Sequence, residues 1–122
     1  MRYKPKGYTS LAPYLLVRDA EATMTFLEAA FAGERLRVIP RDGGGIMHAE
    51  VRIDDTVVML GEAQAATAAH LHLYVADPEA CFERALAAGA TTVQPLKSSG
   101  DGDLRGGVEA PDGTVWWIAK EL

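Results

Sequence analysis

Two residue pairs could do chemistry together: His48 with Glu50, and His70 with His72, each separated by a single residue. On a β-strand alternate side chains share a face, so each pair projects two donors from one side of a sheet. Three imidazoles, all the histidines of the chain, and one carboxylate would suit Zn²⁺ or Fe²⁺ if the two strands faced each other. The same groups would equally serve as hydrogen-bonding walls of a polar cleft that holds no metal. A third role is proton transfer, because imidazole is suited to general-base work near neutral pH. His70 or His72 oriented by Glu50 would be such a base, although no activated nucleophile stands beside either. The preferred expectation is the polar cleft, with no catalytic residue and no metal ligand assigned.

The elements that must position these residues follow from a partial internal repeat. Val17-Arg18-Asp19-Ala20-Glu21-Ala22 returns as Val75-Ala76-Asp77-Pro78-Glu79-Ala80, and Asp54-Asp55-Thr56-Val57-Val58 returns as Asp112-Gly113-Thr114-Val115-Trp116. Both offsets are 58 residues (75 − 17 and 114 − 56), which implies two copies of one structural unit. In the first copy, the apolar run Leu11 to Val17 reads as a strand. Asp19 then caps a helix to about Ala32, with Met24, Leu27 and Phe31 on one face and Gly33 as the left-handed stop. Leu36 to Ile39 reads as a short strand, Arg41-Asp42-Gly43-Gly44-Gly45 as a turn, and Ile46 to Ile53 and Thr56 to Leu60 as strands. Gly61 to Ala69 links the copies. In the second, Leu71 to Val75 is a strand and Asp77-Pro78 opens a helix closed by Gly89. Thr91 to Leu96 is an edge strand containing Pro95, Lys97 to Asp103 a loop, and Arg105 to Glu109 and Val115 to Ala119 the last strands.

Strand alternation sorts the faces. Met47, Ala49, Val51 and Ile53 should pack under the first helix, leaving His48, Glu50 and Arg52 on the other side. Leu71, Leu73 and Val75 should pack under the second, leaving His70, His72 and Tyr74 opposite. The same rule puts Ala12, Tyr14, Leu16, Val57, Met59, Val115 and Trp117 on that second kind of face, and Trp116 in the core. Aromatic surface with a few convergent polar groups is what a small-molecule cleft needs. The expected ligand-binding residues are therefore Tyr14, His48, Glu50, Met59, His70, His72, Tyr74 and Trp117. Trp117 would offer a flat surface for stacking. Arg105 is expected to be solvated, and Cys81 to be a small buried helix residue rather than a nucleophile.

Bulk properties narrow the partners. The chain has 122 residues, 48% of them hydrophobic, and a net charge of −5, without the basic stripe that nucleic acid requires. No run approaches the length of a membrane span, the first residues lack the apolar core of a secretory signal, and one cysteine excludes an internal disulfide. A cytoplasmic protein with neither nucleic-acid nor membrane partner is expected.

Tandem β-α-β-β-β units opened by Tyr14-Leu15-Leu16-Val17-Arg18-Asp19 resemble the vicinal oxygen chelate superfamily, which includes glyoxalase I, bleomycin-resistance proteins, fosfomycin-resistance enzymes and extradiol dioxygenases. The likeness extends over His48-Ala49-Glu50, Leu71 to Asp77, Ala87-Ala88-Gly89-Ala90 and Pro111-Asp112-Gly113-Thr114-Val115-Trp116, from about residue 8 to 120. It implies an α+β fold: tandem βαβββ units of the glyoxalase/bleomycin-resistance/dihydroxybiphenyl dioxygenase fold, whose mixed sheets form an open cleft with one helix per unit outside. The whole chain, 1–122, would be one such domain, with unit 1 at about 8–61, the linker at 61–69 and unit 2 at about 70–120. The enzymes of this superfamily hold a divalent metal at four positions, which fall here on Ala12, Met59, His70 and Trp117. Only His70 can ligate such an ion, so glyoxalase I activity is not expected. The resemblance therefore implies a bleomycin-resistance-like binder of a small molecule, a homodimer, with no cofactor. The alternative is a lyase, isomerase or dioxygenase with Zn, Fe, Mn or Ni at the relocated ligands His48, Glu50, His70 and His72.

Overall fold

A computed structural model describes residues 5–9, 11–65, 68–98, 100 and 102–122. Ala66 and Thr67 of the expected linker, Ser99 and Asp101 of the expected loop, and Met1 to Lys4 lie outside the described residues. The first unit runs β1 (Tyr14–Val17), α1 (Ala20–Phe31), β2 (Glu34–Pro40), β3 (Ile46–Ile53) and β4 (Thr56–Glu62). The second runs β5 (His70–Tyr74), α2 (Pro78–Ala87), β6 (Thr91–Ser98), β7 (Asp103–Glu109) and β8 (Val115–Glu121). This is the expected tandem βαβββ order in two mixed sheets. Both helices start as the sequence dictates: the Asp19 carboxylate accepts from the Ala22 N–H and the Asp77 carboxylate from the Ala80 N–H, each at 3.1 Å.

Each unit forms a four-stranded sheet, ordered β1-β4-β3-β2 and β5-β8-β7-β6. The first and last strands of each unit pair in parallel and the others antiparallel. The register repeats along with the sequence: Tyr14 opposes Met59 as His72 opposes Trp117, and Leu15 opposes Leu60 as Leu73 opposes Ile118. Side chains at equivalent positions therefore point to equivalent faces. β1 and β5 are edge strands, hydrogen-bonded on one side only.

One core serves both units. It joins Met24, Leu27 and Phe31 of α1, Ala49, Val51, Val58 and Leu60 of sheet 1, and Cys81, Phe82, Trp116 and Ile118 of unit 2. The Phe31 and Trp116 rings meet at 4.7 Å, and α1 packs on α2. With the helices and the apolar sides of both sheets turned into this shared core, the other face of each sheet is turned away from it.

Two expectations change. Met47 does not pack under α1 but is 49% exposed. Ile39 opposes His48 while Pro40 opposes Ile46, so Met47 is the extra residue of a bulge. Nor is Gly33 the left-handed stop of α1, since Ala32 takes that conformation at φ 56°. Gly33 is needed for closeness instead: a Cβ there would lie 2.6 Å from Val51 Cγ1 and 3.1 Å from the Leu27 carbonyl oxygen. Elsewhere the strands run longer than expected, β2 from Glu34 and β4 through Glu62, while β1 starts at Tyr14 rather than Leu11.

Two substitutions test this packing by urea denaturation. Leu27→Ala should cost about 2–5 kcal/mol through the cavity it leaves. Gly33→Ala should cost about 1–3 kcal/mol by forcing α1 off β3, and native-like stability of that variant would contradict the close approach.

Candidate functional site

The outward face of sheet 1 carries a chain of four polar groups. Glu50 lies in the middle of β3 and is only 3% exposed. A carboxylate there requires donors, since an unpaired buried charge costs several kcal/mol. It has two: the Tyr8 hydroxyl donates to Oε1 at 2.5 Å, and His48 Nε2 lies 2.7 Å from Oε2. His48 Nδ1 in turn lies 3.2 Å from the Tyr14 hydroxyl. Burial pushes the Glu50 carboxyl up, but the hydrogen bonds from Tyr8 and His48 and the charges of His48 and Arg37 outweigh it, so the group sits below the ordinary carboxylate range. The same bond raises the Tyr8 phenol, because only the protonated hydroxyl can donate to Glu50. Nearby, Arg52 donates to the Gly7 carbonyl at 2.7 Å, which ties the segment carrying Tyr8 across this face.

Sheet 2 carries a different set at the equivalent places. Trp117 Nε1–H donates to His70 Nδ1 at 3.2 Å, and the two rings are nearly parallel, 21° apart. The indole has room because Gly107 opposes it: a Cβ on Gly107 would stand 2.7 Å from Trp117 Cζ3. Arg105 donates from Nε to His72 Nε2 at 3.1 Å and from Nη2 to Asp103 at 2.6 Å. The Tyr74 hydroxyl donates to the same Asp103 carboxylate at 2.8 Å, which raises the Tyr74 phenol. The Tyr74 ring lies 4.7 Å from that of His72 and is 62% exposed.

All eight residues expected at the site thus stand on outward faces or their margins, but in two groups. Tyr14, His48, Glu50 and Met59 belong to sheet 1, and His70, His72, Tyr74 and Trp117 to sheet 2. The bonds described above stay within each unit. The imidazole that Glu50 orients is His48 on its own strand, in place of the expected His70 or His72. Arg105 is not a solvated side chain but shares the face of His72, because β7 begins at Asp103 and sets its parity. Cys81 is buried in α2, and that burial raises its thiol. Among the described residues no group of three or more His, Cys, Asp or Glu is arranged to hold a metal ion. The sequence reading missed Tyr8, Asp103 and Gly107. Tyr8 lies 42 residues from Glu50 with no periodic signal, and Asp103 sits at the end of a stretch with loop composition.

This geometry can be set beside known proteins. The family model of the glyoxalase/bleomycin resistance protein/dioxygenase superfamily matches residues 8–118. The chain belongs to that superfamily. An uncharacterised protein of Mycobacterium bovis is 35% identical over 93% of this chain and 84% of its own length, and one of Mycobacterium tuberculosis is 35% identical over 93% and 75%. Among solved structures, TioX from Micromonospora sp. ML1 superposes with a TM-score of 0.74 at 24% identity, covering 93% of this chain and 97% of that one. The fosfomycin resistance protein FosX from Listeria monocytogenes superposes at 0.78 and 15% identity, covering 100% and 96%. At such identities these structures establish the shared glyoxalase-type fold alone. No helix is long and apolar enough to cross a membrane among the described residues.

The four metal positions of the superfamily do not fit a metal here. Ala12 has no donor, Trp117 gives only an N–H and Met59 gives a thioether that hard divalent ions do not favour, which leaves His70, whose Nδ1 accepts from Trp117, as a single imidazole where such sites need at least three ligands.

Acid stability tests the Glu50 network. Because the folded carboxyl is held below its ordinary 4.5, it contributes stability above that value, which is lost as pH falls through the folded value. Glu62, which accepts from the Ala20 and Ile46 N–H groups at 2.9 Å, acts in the same direction. Glu50→Gln should therefore reduce, without abolishing, the loss of urea stability between about pH 5 and pH 3. An unchanged slope would contradict a buried, paired carboxylate.

Proposed function

We propose that the protein binds a small planar molecule in a polar-aromatic cleft and does so without the metal centre usual in its superfamily. The observation that carries this reading is the pairing of Trp117 with His70 over Gly107. A position that would hold a metal ligand is instead a flat, hydrogen-bonded aromatic surface. Tyr74 extends that surface on the same sheet at 62% exposure, and Tyr14, 49% exposed, offers a second aromatic surface on sheet 1. Aromatic walls of this kind supply area and stacking at small entropic cost.

A cleft needs two walls, and in one chain the polar faces turn away from a common core. A second copy of the chain, set so that its unit 2 faces unit 1 of the first, completes the cleft. The one-sided edge strands β1 and β5 support this, since they display Tyr14, Leu16 and Tyr74 to solvent. Unpaired edges with exposed apolar residues favour association. The homodimer is thus part of the binding reading rather than an addition to it.

Static light scattering should give the mass of a dimer, twice 13.1 kDa, and a monomeric mass would sink the shared cleft. Planar aromatic compounds should quench tryptophan emission in titrations. Trp117→Phe should remove most of that quenching and weaken binding about tenfold, while buried Trp116 stays bright. Quenching that survives the substitution would place the ligand elsewhere.

A further inference from the structure

The hydrogen-bond order on sheet 1 goes beyond what a binding wall requires. Glu50 is ionised and can only accept, so His48 Nε2 must carry the proton directed at Oε2. In the neutral ring Nδ1 is then the acceptor, and the hydrogen between it and Tyr14 belongs to the phenol. The result is a carboxylate–imidazole–hydroxyl series that runs from a residue 3% exposed to one 49% exposed. Burying Glu50 does not need its outer end, because Tyr8 and His48 already occupy the two carboxylate oxygens. The Tyr14 hydroxyl could be hydrated, yet it is held over Gly61, where a Cβ would come within 3.0 Å of its oxygen. Unit 2 has no counterpart: the matching positions are His72, Arg105 and Gly107, a cation and a gap where unit 1 has an imidazole and an acid.

We propose that Glu50, His48 and Tyr14 form a proton relay that interconverts the keto and enol forms of a planar carbonyl compound, with the Tyr14 hydroxyl meeting the ligand. This rests on the ligand-binding reading above and adds a reaction to it. A hydrogen on the carbon beside the carbonyl passes to the Tyr14 oxygen as the phenol's own hydrogen passes to His48 Nδ1. That leaves an enolate on the ligand and an imidazolium held against Glu50. The imidazolium returns its proton to Tyr14, and Tyr14 gives one to the enolate oxygen. The product is the enol, no other reactant is consumed, and the protein ends as it began. Tyr14 is the catalytic residue; His48 and Glu50 position and polarise it. Proton transfer suits this series because a phenol exchanges protons readily, and Cys81, the one thiol, is buried in the core.

Phenylpyruvate is the probe, since it has a planar ring for Trp117 and an acidic CH₂ beside a ketone. In D₂O, NMR should show its CH₂ hydrogens exchanging about a hundredfold faster with the native dimer than in buffer. Tyr14→Phe should remove most of that acceleration. Glu50→Gln should lower kcat for exchange while leaving KM unchanged, which loss of folding would not do, and near-ultraviolet circular dichroism checks the fold of each variant. Tryptophan quenching by phenylpyruvate is read in the same samples. Quenching without faster exchange overturns the relay and leaves the binder standing. Faster exchange that survives Tyr14→Phe also overturns the relay. Neither quenching nor exchange overturns the relay and, for this class of ligand, the binding reading beneath it.

Discussion

The parallel pairing of the first strand with the last in each unit sets almost everything that follows. β1 lies beside β4 and β5 beside β8 in the same register, so side-chain parity is fixed identically in both copies. Leu15, Leu60, Leu73 and Ile118 then fall toward the core, and Tyr14, Met59, His72 and Trp117 away from it. That pairing also leaves β1 and β5 at sheet edges, with β2 and β6 at the opposite ones. A shift of one residue in either pair would put Trp117 or Glu50's neighbours into the core and polar groups under a helix.

On this common frame the two units carry different side chains at matching positions. Sheet 1 buries an acid at Glu50 and surrounds it with Tyr8, His48 and Tyr14; sheet 2 has Gly107 at the matching place and lays an indole over it. One face holds a hydrogen-bonded acid–imidazole–phenol series, and the other offers a flat wall flanked by an Arg105–Asp103 ion pair. Neither is a cleft alone. Because the helices and the apolar sheet faces share one core, each polar face is turned away from it, and in the proposed dimer a second copy would supply each face with its complement.

Much of this was legible in the sequence where local pattern decides it. Ala49 and Val51 alternate with His48 and Glu50, and Leu71 and Leu73 with His70 and His72, so the polar faces followed from parity alone. The 58-residue offset carried the duplication, and Asp19 and Asp77 marked both helix starts. What stayed hidden depends on partners distant in the chain. The bulge that exposes Met47 is set by the register of β2, the Ala32 turn by how closely Gly33 must approach Val51, and the place of Arg105 by the start of β7. Tyr8 reaches Glu50 across 42 residues, and strand periodicity carries no trace of such a contact. The packing of α1 against α2, which helps join both units in one core, is tertiary as well.

Whether unit 1 of one chain faces unit 2 of another can be tested by cross-linking, without any ligand. One chain would carry Met59→Cys and a second Trp117→Cys, both with Cys81→Ala, and the refolded mixture would be treated with a short bis-maleimide. A shared cleft between two chains gives a covalent dimer joining the two variants, and no internally bridged monomer when both cysteines sit in one chain. Efficient bridging within the double variant, with no linked dimer, would contradict it.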